Sequence, residues 1–538
     1  MAKFNKTNSN KTTNRSGFRA FKMEDKDRLV TAALTTMFGE PKYYGSTDED
    51  IVQLAKKCAK EDPEFLYHLA CYTRNVGNMR SVSHVLTAVI AHEARKYTRA
   101  TIRNVVVRPD DITEIMACYE GMYGKPFPNA LKREVAKVIQ NFDEYQLAKY
   151  KGTKRSIKLR DVLRITHPVP KDKDTEALLG RLMRDELATP YTWESELSLK
   201  GNTKEVWDEL IASGKVGYMA LLRNLGNIVK SGTDIKPVLE VISDPERIKK
   251  SRQLPFRFFS AYCTLKCENL LSKEIHKALE TAIVTSIENM ETIPGRTLIA
   301  VDCSGSMSMH ISWKSSVRCC DLSALLGAMA SRLCEDATVF YFNDATSIDF
   351  CFDGKGYKVA HYGKYDSILK ICEETSFANG GTDMQLPLVW ALERDDAARQ
   401  TILEKIRQKK NDALRPFDRI IYFSDSECNQ FIDTSYGDGI SCQALVEKYR
   451  AEYNENFWVH AVDIQGYGTQ QFCGKRFNVI AGWSEAVLPF ILLAERGIST
   501  LTKTIEEYDP DARTNPADVA ENGADMGNAE ESGMDEED

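Results

Sequence analysis

Three short stretches of the sequence hold oxygen ligands at spacings that could bind a metal. Asp302-Cys303-Ser304-Gly305-Ser306 offers one carboxylate and two hydroxyls at alternate positions, with a glycine to turn the chain. Gly380-Gly381-Thr382-Asp383 presents a hydroxyl from a glycine-rich turn, and Asp425 follows the apolar run Arg419 to Phe423. Convergent oxygens with few negative charges suit a hard divalent cation, Mg²⁺ before Ca²⁺, held partly through water. An acidic serine-rich loop alone more often only caps a helix. The three stretches in this order argue for a ligand set of Asp302, Ser304, Ser306, Thr382 and Asp425.

A second group of residues could do electrostatic work. Between Lys149 and Lys173 stand Lys149, Lys151, Lys154, Arg155, Lys158, Arg160, Arg164, Lys171 and Lys173 against only Asp161 and Asp172. Most charge runs are solvated helix faces, but this one is largely uncompensated, and such a stripe can neutralise phosphates and release counterions. His167 follows it and could stack on or bond to a base. Lys132-Arg133, with Lys137 a turn later, forms a lesser patch. No general base or nucleophile accompanies the metal-type loops, and His310 reads as a surface histidine, so the expectation is binding rather than catalysis.

The elements that must position these residues fall into two grammars. From about 23 to 292 the pattern is helical, with apolar residues three and four apart. Ile51, Leu54, Ala55 and Cys58 line one helix, and Asp62-Pro63 restarts the chain as cap and first residue of the next. Further helices are expected near 81–97, 110–122, 129–141, 204–213, 217–230 and 255–267, which reads as an α-solenoid or an irregular bundle. From 293 to 497, short apolar runs at Thr297–Val301, Thr338–Phe342, Arg419–Phe423 and Phe457–Val462 alternate with helical segments. That alternation predicts a doubly wound α/β domain with a parallel sheet. Its ligand loops would lie beyond the carboxyl ends of the strands. Residues 1–22 read as a disordered basic arm and 498–538 as a disordered acidic tail.

Composition narrows the function. The net charge of -7 argues against nucleic acid only when averaged over all 538 residues. Residues 1–290 hold 48 basic and 37 acidic side chains, whereas 506–538 hold 1 and 13, so a basic half is hidden behind an acidic tail. The tail reads as solubilising, with screening of the basic surface as the alternative. No apolar run is long enough for a bilayer and no secretory pattern opens the sequence, so a cytoplasmic protein without a membrane partner is expected. The 14 cysteines form no C-x-x-C pair and suit free thiols in a reducing compartment.

The oxygen-ligand set resembles the metal-ion-dependent adhesion site (MIDAS) of von Willebrand factor A-like domains. By that resemblance the serines and the threonine face the metal, the aspartates act largely through water, and a carboxylate-bearing ligand completes the coordination. The chain as a whole resembles the Ro autoantigen family, whose helical part is the TROVE module. The matching words are Lys149-Tyr150-Lys151, Asp161 to Pro168, Met219 to Gly226, Leu254-Pro255-Phe256, Leu298 to Asp302 and Gly380 to Asp383, spread over residues 17 to 497. The resemblance implies HEAT-like helical repeats in a closed ring bridged by the A-like domain, in a monomeric ribonucleoprotein. It implies Y RNA on the outer basic surface, single-stranded 3′ ends of misfolded noncoding RNAs in the ring cavity, and a role in RNA quality control. A bacterial source would add an exoribonuclease partner.

Matched by motif, Lys149, Lys151, Lys154, Arg155 and His167 would meet the RNA. Lys132, Arg133, Lys137, Lys158, Arg160 and Arg164 join them on local charge alone. The sequence departs from the family at Thr153 to Ile157, in a charged insertion near 395–414, and in the acidic tail. The competing reading is a metal-dependent protein-interaction module without RNA function.

Overall fold

The computed structural model describes residues 11–35, 48–150, 156–251, 253–288, 290–312, 315–344, 356–407, 415–429, 440–481, 487–496 and 501–511. They divide into two compact units. One is α/β, from the N-terminal residues to 35 together with 287–502; the other is helical, from 48–286 together with 503 onward.

The strands are β1 (Lys11–Thr13), β2 (Arg19–Lys22), β3 (Ile293–Asp302), β4 (Cys334–Phe342), β5 (Tyr357–Ala360), β6 (Arg419–Ser424), β7 (Trp458–Asp463), β8 (Thr469–Gln470) and β9 (Phe477–Ala481). Six of them form the main sheet in the order β5-β4-β3-β6-β7-β9. All pairs are parallel except the β4–β5 edge. The continuous apolar runs are explained by burial on both faces, since β6 is buried at every residue. Helix Cys319–Leu333 lies on β3 and β4. It can do so because Gly327 replaces a Cβ that would stand 2.7 Å from Val301 Cγ2. Met384, Leu388, Leu392, Leu445 and Tyr449 of two later helical segments join Ala300, Phe340 and Ile420 in one core. The chain order reverses at β3, between β4 and β6, so the loops after β3 and β6 open at a topological switch point.

The segment expected as a disordered arm is different. Its described part, 11–22, pairs as β1–β2 and continues onto β8, with Phe21 opposite Gln470. Helix Asp25–Thr35 follows and buries every residue from Leu29 to Thr35. It belongs to the α/β unit, although its helical pattern placed it with the solenoid. The β1–β2 hairpin is local, but no local signal reveals its second partner more than 400 residues away. The charged insertion begins inside one of the helical segments that the alternation predicts. Helix Leu386–Arg407 runs through its start, and Asp395 there is buried and accepts a 2.5 Å bond from Tyr449 Oη. The rest of that insertion, from 408, lies outside the described residues.

In the helical unit the described residues form helices and no strands. Asp62 caps helix Pro63–Asn75 by accepting from Phe65 N at 3.1 Å, as its sequence predicts. The helix expected over 217–230 is two, Tyr218–Arg223 and Leu225–Ser231, meeting at buried Asn224. Helices Thr98–Val105, Pro109–Tyr123, Asn129–Val138, Leu159–Thr166 and Lys173–Arg184 share a core of Ile102, Ile112, Leu131, Val135, Val162 and Leu179. The acidic tail starts later than its composition suggests. Residues Leu501–Glu506 are helical, and Tyr508 is half-buried against the helical unit's core.

Candidate metal centre and basic surface

Asp302 is the last residue of β3 and is fully buried. Its Oδ1 accepts from Ser304 N at 2.8 Å and its Oδ2 from Ser424 Oγ at 2.5 Å. A 3-10 turn, Gly305–Ser308, swings the chain so that the Ser304 and Ser306 hydroxyls stand 3.2 Å apart. Gly305 N donates to Gly380 O at 3.0 Å, and a Cβ at Gly305 would stand 3.1 Å from that same oxygen. A side chain at residue 305 would therefore crowd the contact between the first loop and the second. Thr382 and Asn429 exchange bonds, Thr382 N to Asn429 Oδ1 at 2.7 Å and Asn429 N to Thr382 O at 3.0 Å. That exchange ties the second loop to the third, which carries Asp425. All five sequence-predicted ligand residues are at most 5% exposed and lie on these three stitched loops.

The electrostatics of the loops fit a cation. Burial and the charge of Asp425 push the Asp302 carboxyl up to about 7, against the opposing bonds from Ser424 and Ser304. Asp302 makes no ion pair among the described residues. Two buried carboxylates that repel each other, beside three hydroxyls, are a donor set a hard divalent ion would relieve. Hydroxyls rather than further carboxylates or imidazoles make up that set, and the described residues contain no metal-type cluster of three or more His, Cys, Asp or Glu. Sequence reasoning missed Ser424, Asn429 and Asp344, whose Oδ2 accepts from Gly381 N at 2.7 Å. Ser424 and Asn429 flank Asp425 and could have been found. Asp344 sits past a different strand.

The predicted basic residues divide. Arg133 and Lys137 are exposed on helix Asn129–Val138, with Lys132 half-buried beside them. Arg164 is exposed on helix Leu159–Thr166 and stands 3.6 Å from Asp161. His167 is exposed and caps that helix in the left-handed region at φ 46°, while Lys158 and Arg160 are half-buried. Gln140 joins the two elements, donating to Val169 O at 3.2 Å and accepting from Lys171 N at 3.0 Å. Lys149 departs from expectation. Its side chain is only 14% exposed, lies over the Tyr150 ring and stands 4.0 Å from Glu194. Lys151, Lys154 and Arg155 lie outside the described residues.

The structure adds basic residues outside the densest run. Arg95, Lys96 and Arg99 are exposed before and along helix Thr98–Val105, and Arg103 follows one turn later with a side chain 62% exposed. The signal was present, since residues 94–109 hold five bases and no acid. This helix packs on Asn129–Val138, where Arg103 Nε stands 3.4 Å from Glu134 Oε1. Beneath this surface lies a buried ionic cluster. Asp111 accepts from Arg80 Nε at 2.7 Å, His84 Nε2 at 3.0 Å and Arg74 at 3.3 Å. Asp110 is gripped by Arg80 and by Arg108, whose guanidinium bonds run at 2.8 and 3.0 Å.

Comparison with known proteins places both units. The TROVE domain family model matches residues 23–185 and 177–292, and the Ro60 vWA domain model matches 296–403. Telomerase protein component 1 of Rattus norvegicus is 26% identical over 336 residues, 45% of this chain and 13% of that protein. The RNA-binding protein RO60 of Deinococcus radiodurans is 25% identical over 193 residues, 32% of this chain and 34% of that one. The chain thus spans well under half of the curated relatives it matches. The crystal structure of the Deinococcus radiodurans Ro (RSR) protein shares the fold at a TM-score of 0.58 and 17% identity, covering 88% of this chain and 100% of that one.

Proposed function

Since the chain belongs to the TROVE family with a Ro60-type A domain, we propose that it is an RNA-binding ribonucleoprotein component whose helical unit holds RNA by its phosphates. The observation that carries this reading is the exposure of Arg95, Lys96, Arg99, Arg133, Lys137 and Arg164 on or just before three helices that pack on one another. Phosphate contacts make the affinity salt-dependent and largely indifferent to sequence. A small noncoding RNA of the Y type is the ligand for this surface. Single-stranded 3′ ends of misfolded RNAs are the second class of ligand, which gives the protein its part in RNA quality control.

In the α/β unit, Asp302, Ser304, Ser306, Thr382 and Asp425 would hold Mg²⁺. The bound ion supplies a fixed positive charge for the carboxylate of a partner protein. The chain's own groups orient that site, and among the described residues that line it stands no histidine. His310, the nearest in sequence, is exposed and bridged to Arg318. We read the site as one that binds a partner carboxylate.

Reversing Arg133, Lys137 and Arg164 to Glu tests the RNA surface in a gel-shift titration over a salt series. The expected result is weaker binding with a slope of log affinity against log salt reduced by about three, one for each lost phosphate contact. An unchanged slope would remove these residues from the interface. Sequencing the RNA that copurifies with the intact protein distinguishes Y-type RNA from other ligands, and absence of any bound RNA favours the protein-interaction reading.

A further inference from the structure

The C-terminal segment is pinned to the helical unit before its most acidic part begins. Glu506 O lies 2.9 Å from His68 Nδ1, and the Tyr508 ring meets Tyr72 edge-on at 5.5 Å. Asn75 Nδ2 donates to Tyr508 Oη at 3.4 Å, and Asn104 Nδ2 donates to Asp511 Oδ1 at 3.1 Å. The last described residue is therefore bonded to helix Thr98–Val105 at the position after Arg103. Asp511 and Arg103 both lie within electrostatic reach of the Tyr67 hydroxyl. Arg103 in turn meets Glu134, and exposed Arg133 and Lys137 flank that residue on the neighbouring helix.

Beyond Asp511 the chain has 27 more residues, with nine acids, one base and no aromatic residue. We propose that residues 512–538 dock on the basic face of helices Thr98–Val105 and Asn129–Val138 and compete there with RNA. The proposal rests on the reading of that face as an RNA surface. Length permits the contact. A flexible chain of this size has an r.m.s. span of about 30 Å, and packed helices stand about 8–10 Å apart. The anchor sets an effective tail concentration on the order of millimolar over the face. Charge complementarity supplies the attraction. With no large apolar side chain to bury except two methionines and a valine, the contact is electrostatic and is screened by salt. The tail thereby raises the threshold for RNA, and weak polyanions are excluded first.

The test compares the full chain with one ending at Asp511, and with a full-length variant whose nine acids after 511 are replaced by Asn or Gln. Two quantities are measured: acetylation rates of Lys132 and Lys137 without RNA, and binding of a labelled 20-residue oligouridylate. Removal or neutralisation of the tail should speed acetylation of both lysines. It should also tighten oligouridylate binding about tenfold at 50 mM salt and have little effect at 300 mM salt. Equal acetylation in all three proteins overturns the docking, whether or not the affinities differ. Faster acetylation with an unchanged, measurable affinity overturns the competition. If no form binds oligouridylate while the lysines become more reactive, the docking stands and the RNA reading of this face falls.

Discussion

Two pairs of buried carboxylates, one in each unit, have the same burial and opposite electrostatics. Asp110 and Asp111 are fully buried in the helical unit, and Asp302 is equally buried in the α/β unit. At Asp111 the guanidiniums of Arg74 and Arg80 overcome the desolvation penalty and hold the carboxyl well below the usual carboxylate range. At Asp302 the nearest strong charge is another carboxylate, and the carboxyl is pushed up to about 7. Burying a charge is tolerable only when something compensates it. The helical unit supplies the compensation from its own chain, so its cluster is a structural lock. The α/β unit supplies hydroxyls and backbone bonds but, among the described residues, no countercharge at Asp302, which suits the cation site proposed above.

The largest effect that tests this contrast is Asp111→Asn. It takes a carboxylate from both Arg74 and Arg80, though Arg80 keeps Asp110, and losing one partner of a buried ionic pair costs about 3–5 kcal/mol. Urea unfolding followed by circular dichroism should show the helical transition moving to much lower denaturant. A shift under about 1 kcal/mol would mean that solvent reaches the cluster and the lock is not one.

Asp302→Asn should act in the other direction. In a chelator the isosteric amide removes a carboxylate that repels its neighbour, so the α/β unit should melt no lower than wild type. Added Mg²⁺ should then stabilise only the wild type, by about 2.7 kcal/mol at a hundredfold excess over its dissociation constant. Differential scanning calorimetry with and without Mg²⁺ reads both. A variant that melts lower in chelator would show that Asp302 is already compensated by the protein.

The two sites also differ in how far the sequence reveals them. Asp302, Ser304 and Ser306 lie in one loop, and the glycine-rich turn and the strand-ending Asp425 each carry a local signal. Strand-ending loops of a parallel sheet must gather at one edge, so Asp302, Ser304, Ser306 and Asp425 can be assembled from sequence alone, whereas Thr382 lies between two helices and is marked only by its glycine-rich turn. The lock has no such signature. Arg74, Arg80 and His84, Arg108, and Asp110-Asp111 come from three helices and a linker, and only packing joins them. The same physics hid the seat of the N-terminal hairpin, because β2 also pairs with Thr469–Gln470 and no local pattern encodes that second partner. The basic face fell between these cases. Its charge was countable, but the adjacency of residues 95–103 to 132–137 depends on Ile102, Leu131 and Val135 meeting in one core.

Acid gives the smallest and most specific test, because His84 belongs to the lock and has no counterpart beside Asp302. Burial lowers the His84 pKa below 6.5, outweighing the bond to Asp111, and Arg80 and Arg74 add to the lowering. Asp111 can only accept in that bond, so Nε2 carries the proton of a neutral ring. A histidine whose pKa is lower in the folded state contributes fully above its unfolded value, and that contribution is lost as pH falls below about 6.5. Asp111, depressed in the folded state, loses its contribution further down, as pH falls from the unfolded carboxylate range through its folded value. The helical transition should therefore weaken from pH 7 to 5 in the wild type. In His84→Gln, which keeps a donor toward Asp111 but cannot titrate, the slope over that window should be smaller. Parallel slopes would show that the ring is charged inside the cluster, a fourth positive charge beside the three guanidiniums that already face two aspartates.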